Sequence, residues 1–244
     1  MIQANRSNII QGHTENKKAR VTGMFNKISR NYDFLNHLLS FGIDRSWRKK
    51  LVNAIAGSHP KKILDLATGT GDLAISLSSL NPEMITGIDL AEKMLEIGRN
   101  KIKSNGLSDK IKLKKGDSES LEFESNSFDA VTVAFGIRNF ENLNAGLSEA
   151  YRVLKPGGTF AILEFSKPEK FPFSLLYSTY FNFLLPLIGK IISSDSSAYT
   201  YLPESVKKFP YSVALANILI KNGFLDVTFK PLTLGICSLY TGRK

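Results

Sequence analysis

From Lys61 onward the chain alternates short apolar runs with helical patterns, and nothing else in it restricts the fold as strongly. KKILDLA, MITGIDL, KIKLKKGD, SFDAVTVAFG and TFAILEFS have the length and apolar texture of strands. Between them, GDLAISLSSL, AEKMLEIGRNKIKSNG and NLNAGLSEAYRVLKPGG repeat apolar residues at helical spacing. The second of these helices should end at Gly106 and the third should leave through Pro-Gly-Gly. Strand and helix in this alternation make parallel β-α-β units whose helices cover both faces of one sheet. Farther on, SVALANILIKNG predicts a helix, and FLDVTFKPLTLGICSLYTG predicts two short strands parted by about Pro231 to Gly235. The expected fold is α/β and Rossmann-like: a doubly wound, mostly parallel seven-stranded sheet closed by an antiparallel C-terminal hairpin.

Two segments stand outside that frame. VTGMFNKISRNYDFLNHLLSF and DRSWRKKLVNAIAG predict a pair of helices, so residues 21–58 are expected to form a helical cap, with 1–20 a flexible tail. Residues 170–210 interrupt the alternation and are expected to be a helical insertion for substrate within the single domain 21–244. Inside it, Phe171 to Gly189 run for nineteen residues without a charge, about the length of a membrane span. Pro172, Pro186 and six hydroxyl or amide side chains argue against a span; a buried insertion, or one resting on a membrane surface, fits better.

Charge and cysteine usage narrow the function classes. The formal net charge is +10, and residues 16–62 hold eleven Lys/Arg against Asp33 and Asp44, while 63–170 sum to −3. The basic excess is therefore an N-terminal feature, suited to anionic lipid or to a solvated helix face. A lone cysteine, Cys237, cannot form an internal disulfide, and His13, His37 and His59 lack spaced ligand partners, so no metal site is expected. His37 lies on an apolar helix face and reads as a partly buried histidine, His13 and His59 as solvated, and Cys237 as a small core residue. The start of the chain carries no apolar run of signal-peptide length, and a cytoplasmic protein is expected.

In sheets of this kind the ligand sits beyond the carboxyl ends of the strands. Here that places it at Asp65-Leu66-Ala67-Thr68-Gly69-Thr70-Gly71-Asp72-Leu73-Ala74. Gly69 and Gly71 permit a sharp turn and close backbone approach, but G-x-G-x-x-A alone is shared by dinucleotide and S-adenosylmethionine folds. Asp89, eighteen residues after Gly71, is placed to accept hydrogen bonds from ribose hydroxyls. Asp65, just before the turn, would repel a pyrophosphate and attract a sulfonium or ammonium, by about 4 kcal/mol for unit charges about 4 Å apart at an effective dielectric of about 20. Electrostatics thus favours S-adenosylmethionine. Asp117 and Ser118 follow the third strand, where they would read an adenine edge unless Asp117 only caps a turn. Asp129 reads as structural, and Ala134 to Ile137 cross the floor of the site.

The runs ILDLATGTGDLA, GIDLAEKML, GDSESLEF, VAFGIRNF, RVLKPGGTFAILEFSKP, SAYTYLPESVKKFP and PLTLGICSLYTG together resemble the demethylmenaquinone/ubiquinone C-methyltransferases of quinone biosynthesis. The resemblance extends from about Val21 to Lys244; LEFSKP, FGIRNF and AYTYLPES are its specific parts, whereas VLKPGG is common to many methyltransferases. It implies methyl transfer from S-adenosylmethionine to a ring carbon of a polyprenylated hydroquinone. It puts the cofactor contacts on Thr70, Asp89, Asp117 and Ser118, and at Ala134 it leaves only a backbone contact where some members carry serine.

That chemistry needs an electron-rich ring carbon, which loss of a hydroquinone proton creates. Arg138 is the candidate to stabilise the phenolate and Tyr199 and Tyr201 to orient the ring oxygens. The plain alternatives are an ion pair of Arg138 with Glu141 or Glu164, and simple packing of the tyrosines. Competing functions are a nicotinamide-dependent oxidoreductase, which Asp65 opposes, and a non-catalytic S-adenosylmethionine-binding scaffold. A nucleic-acid methyltransferase lacks its usual motifs here, so no nucleic acid is expected. Peripheral membrane contact and a second copy of the chain are the remaining partners expected, and menaquinone and ubiquinone precursors stay undivided.

Overall fold

The computed structural model describes residues 17–169, 171–179 and 197–244. Two helices, α1 (Lys17–Leu39) and α2 (Ile43–Ala56), precede the sheet. Phe41 and Gly42 between them take φ 51 and 71, the left-handed conformation that breaks the first helix and reverses the chain. Residues 17–20, expected at the end of a tail, form the first turn of α1. One side of α2 buries Trp47, Leu51, Val52 and Ile55, and its opposite side exposes Arg45, Lys49 and Lys50.

The sheet follows in the predicted alternation: β1 (Lys62–Leu66), α3 (Asp72–Leu77), β2 (Met84–Asp89), α4 (Glu92–Ser104), β3 (Ile111–Lys115), β4 (Phe128–Ala134), α5 (Leu143–Val153) and β5 (Leu154–Phe165). Then come α6 (Phe173–Thr179), α7 (Ser197–Lys208), α8 (Val213–Lys221), β6 (Leu225–Leu232) and β7 (Cys237–Arg243). Strand order is β3-β2-β1-β4-β5-β7-β6. The first five strands pair in parallel, and β7 lies antiparallel between β5 and β6. Central strands are mainly apolar because both faces are covered, with Asp65 and Thr132 buried among the apolar residues. Trp47, Leu51, Leu73, Leu77, Leu95 and Ile102 pack over one face; Leu147, Ala150, Leu215, Leu219 and Phe224 pack over the other.

Two boundaries differ from expectation. The helix before β5 stops at Val153, so Lys155-Pro156-Gly157-Gly158 lie within the strand as a bulge rather than at a helix exit. Pairing resumes from Phe128 opposite Leu154 to Ala130 opposite Thr159, with Gly157 at φ 77 donating to the Lys244 carbonyl at 2.8 Å. Pro156 has no N–H for a helix and its neighbours bulge instead. The hairpin strands are also longer than expected: Pro231 belongs to β6 opposite Ser238, and only Thr233 to Ile236 turn. Asp129 is structural, accepting from the backbone N–H of Lys61 and Lys62 at 3.0 and 2.7 Å and pairing with Lys155 at 2.6 Å.

Of the uncharged run 171–189, residues 171–179 fall in the described structure, where α6 occupies most of them; 180–189 lie outside it, as do residues 1–16 with His13. Among the described residues no helix is long and apolar enough to cross a membrane. Cys237 is fully buried in the core.

Candidate active site

The carboxyl ends of β1, β2 and β4 and helix α1 line a solvent-open cleft of about 700 Å³, the open space at its mouth included. Its rear wall is the turn after β1. Gly69 and Gly71 take φ 57 and 78, which a side chain would oppose, and Thr68 N donates to the Ile88 carbonyl at 2.9 Å to hold the turn on β2. Two residues with side chains, Ala67 and Phe135, also have positive φ (49 and 59), and both line the cleft. Backbone in that region persists only where its surroundings enforce it. Here the enforcement is close packing: a Cβ on Gly136 would lie 2.5 Å from that of Ala67.

Asp89 ends β2 at the cleft wall. Its Oδ2 accepts from Gly69 N at 2.9 Å and its Oδ1 from Ala91 N at 2.8 Å, which ties the turn to the start of α4. Burial raises its pKa, opposed by those backbone donors. A carboxylate has about four lone-pair sites, so two more donors can still be taken from a ligand.

Asp65 is placed differently from its expected role. It is 1% exposed, it does not line the cleft, and its two oxygens accept from Thr68 Oγ1 at 2.6 Å and Thr132 Oγ1 at 2.9 Å. Burial pushes its pKa up to about 7 despite those two hydroxyls. It therefore lies behind the turn and is not part of the cleft wall. Thr70 is likewise turned away: its hydroxyl donates to Asp33 on α1, and Lys101 Nζ lies 3.3 Å off. Gly69, Asp89, Asp117, Ser118 and Ala134 line the cleft, whereas Asp65, Thr70 and Gly71 shape the turn behind it.

The roof is α1. Lys18, Phe25 and Tyr32 recur at seven-residue steps and face the cleft together with Val21 and Thr22. Phe25 and Tyr32 meet edge to face at 5.8 Å. Sequence reasoning missed these residues, although that spacing was a legible signal. At one end of the roof Lys18 pairs with Asp117 at 2.6 Å and Glu119 at 3.4 Å, and Lys17 Nζ donates to the Phe140 carbonyl at 2.6 Å. At the other end Asp33 binds Thr70 and Lys101, the latter at 2.8 Å.

Beside that second strap, His37 Nδ1 lies 2.7 Å from Asp44, and Asp72 is 3.7 Å from the other ring nitrogen. The three groups are close enough to form a metal-ligand cluster that their sequence spacing did not suggest. Arg48 engages both carboxylates and Lys101 engages Asp72, so the acids are already balanced by cations. His59 is exposed in the turn before β1.

Arg138, one residue past the floor of the cleft, is buried against Glu164, with Nη1 2.8 Å from Oε1, and its guanidinium stacks 5.4 Å from the Phe165 ring. Of the two acids weighed for an ion pair, Glu164 is the partner. Arg138 Nε is buried with no hydrogen-bond partner among the described residues. Tyr201 donates from its hydroxyl to Asn139 Oδ1 at 2.9 Å, and Asn139 lines the cleft. Tyr199 lies in α7, but its side chain is outside the described residues.

Such a site offers a glycine turn, an acid with spare acceptor capacity, a buried acid behind the turn and an aromatic wall. That set suits an adenosyl ligand bearing positive rather than negative charge. Comparison with known proteins agrees. Residues 13–244 match the ubiE/COQ5 methyltransferase family. A protein of Bacteroides fragilis named demethylmenaquinone methyltransferase is 49% identical over 229 residues, covering 93% of this chain and 94% of the relative. The ubiquinone/menaquinone biosynthesis C-methyltransferase of Geobacter sulfurreducens is 43% identical over 230 residues, covering 93% and 90%. Among solved structures, an S-adenosylmethionine-dependent methyltransferase of Thermotoga maritima has TM-score 0.63 at 18% identity, covering 91% of this chain and 99% of that one, a likeness of fold alone.

Proposed function

The chain belongs to the ubiE/COQ5 methyltransferase family, and from that premise we propose that it methylates a ring carbon of a polyprenylated hydroquinone, converting demethylmenaquinol to menaquinol. The observation that carries this reading is the cleft: an acid-backed glycine turn faces an aromatic wall, with the buried Arg138 one residue beyond the floor. When bound, S-adenosylmethionine supplies an electrophilic methyl group whose sulfonium departs as a neutral thioether.

The chain's own residues supply position and charge. Gly69 and Asp89 hold the ribose end, Asp117 and Ser118 the adenine end, and Ala134 offers backbone at the floor. Asp65, whose pKa burial pushes up to about 7, ionises more fully beside a cation and returns that charge as attraction. Phe135, backed by Phe165 at 4.6 Å, gives the cleft an aromatic side chain against which a ring packs. Arg138 keeps a guanidinium over the Phe165 ring behind the floor, and its positive charge lowers the cost of a phenolate oxygen forming in the cleft. Tyr201, set by Asn139, orients a ring oxygen, and Tyr199 is a candidate for the same task. Alignment of nucleophile and methyl supplies much of the rate, since effective molarities on the order of 10⁵ M or more come from orientation alone.

The ubiquinone-precursor reaction is the second reading, favoured by the Geobacter relative's name, which covers both quinones. Membrane contact follows from the substrate, whose prenyl tail resides in a bilayer; residues 170–210 are the segment we assign to that tail, and a second copy of the chain is a further candidate partner. A methylation assay offering reduced naphthoquinone and benzoquinone substrates side by side tests the reading. Transfer to the naphthoquinol supports it; S-adenosylmethionine binding without transfer to either ring would leave a scaffold instead.

A further inference from the structure

We propose that the carboxyl edge of the sheet is a membrane-docking face whose apolar part is formed by Phe41, Ile43, Phe171, Phe173, Leu175 and Leu234 and whose occupant is an anionic lipid surface; this rests on the prenylated-substrate reading above. The fold gathers these residues from three distant segments. β5 ends at Phe165 opposite Cys237, where β7 begins, so the chain on both sides of that register leaves the sheet at one edge. There Ser166 Oγ donates to the Gly235 carbonyl at 2.7 Å, and a Cβ on Gly235 would lie 3.4 Å from Pro168 Cα. The turn that carries Leu234 is thus joined to Ser166 and Pro168, a few positions before Phe171 in the chain. Trp47 Nε1 donates to Thr233 Oγ1 at 2.8 Å, which brings the start of α2, with Ile43 and Phe41, to the same edge.

Exposure on this edge is unusual for side chains of this size. Phe41 is 79% exposed, Phe171 80% and Leu234 61%. Single exposed apolar residues are ordinary, but several brought to one edge mark an interaction surface. Two further observations select lipid as the occupant. The solvent side of α2 beside Ile43 carries Arg45, Lys49 and Lys50, and its acid, Asp44, is buried on Arg48, so the flank is purely cationic. An apolar tip flanked by cations is the pattern of a surface that sits at the headgroup boundary of an anionic bilayer. The edge is also continuous with the cleft through an aromatic series. Phe135, which lines the cleft, is 4.6 Å from Phe165 and 6.0 Å from Trp47, and Trp47 reaches Thr233 beside Leu234. Trp47 is buried, so the series joins edge and cleft through packed rings of the core.

The test is vesicle co-sedimentation of the full chain with phosphatidylcholine vesicles, with and without phosphatidylglycerol. The variants are Phe41→Ser, Leu234→Ser and the pair together, each checked for fold by circular dichroism. Binding only to the anionic vesicles, weakened by salt and weakened roughly tenfold in the double variant, is the expected result. In parallel, turnover of a water-soluble short-chain quinol should be unchanged in the double variant, while turnover of a long-chain quinol embedded in vesicles falls. Vesicle binding equal in wild type and double variant, or absent in wild type, overturns the docking face. Failure of the wild type on the short-chain quinol would instead overturn the methyl-transfer reading, so the two failures are separable.

Discussion

Gly98, in the middle of α4, lies against the backbone of Thr70: a Cβ there would stand 3.0 Å from Thr70 C and 3.1 Å from its carbonyl oxygen. It would also meet Leu113 Cδ1 at 2.5 Å. A glycine inside a helix ordinarily costs about 1 kcal/mol relative to alanine, so Gly98→Ala would stabilise an unobstructed helix. Against a backbone that cannot yield, the same methyl overpacks the contact at about 1–3 kcal/mol and displaces the cofactor turn. Gly98→Ala should lower Tm and weaken S-adenosylmethionine binding in calorimetry. A raised Tm with unchanged binding would show that the turn does not rest on this contact.

Asp65 links binding to pH. Its pKa rises from 3.8 to about 7 on folding, so its stabilising contribution is complete below 3.8 and is lost as pH climbs through about 7. The full loss is about 4 kcal/mol for a shift of this size, as an order of magnitude. Asp65→Asn removes the ionisation and should raise Tm above neutral pH relative to wild type. The same ionisation favours a cation, so wild-type affinity for S-adenosylmethionine should strengthen as pH passes through about 7 and Asp65→Asn should be flat. Parallel profiles for the two proteins would remove Asp65 from recognition.

The Lys18–Asp117 pair fixes one end of the α1 roof over the cleft in which we propose the cofactor binds. Both side chains are more than a quarter exposed, which limits the pair to roughly 1 kcal/mol or less. Lys18→Ala should therefore speed release of S-adenosylhomocysteine by roughly two- to fivefold in stopped-flow fluorescence. Raising salt should accelerate release from the wild type more than from the variant. Identical salt responses would place the closure elsewhere.

The Arg138–Glu164 pair is almost wholly buried, with side chains 6% and 1% exposed. Removing one partner strands the other, at about 3–5 kcal/mol. Arg138→Ala is thus expected to lower Tm sharply, which alone would not reveal a catalytic part. The double variant Arg138→Met with Glu164→Gln removes both charges and should recover most of the stability while losing kcat with little change in cofactor binding. Restored kcat in that double variant would confine Arg138 to packing.

The strand–helix alternation and the glycine turn after β1 were legible because each is written in local terms. Alternating apolar runs specify buried parallel strands, and Gly69 and Gly71 permit the positive φ that the turn takes. Asp89 was legible for the same reason, since it stands at a set distance along one β-α-β unit. The glycine bulge at Lys155–Gly158 escaped because Pro-Gly-Gly is equally a helix exit and a bulge until the partner strand is known.

What only the tertiary structure decided are the relations across long chain separations. Asp65 reads identically whether it faces the ligand or hides behind Thr68 and Thr132; Thr132, on a strand sixty-seven residues away, settles it. The same holds for Arg138 on Glu164, for Lys18 on Asp117 and for Thr70 on Asp33. Periodicity reports which face of an element is apolar, because that depends on neighbours one turn or one pleat away. Which charged group meets which depends on how whole elements dock, and no local spacing carries that information.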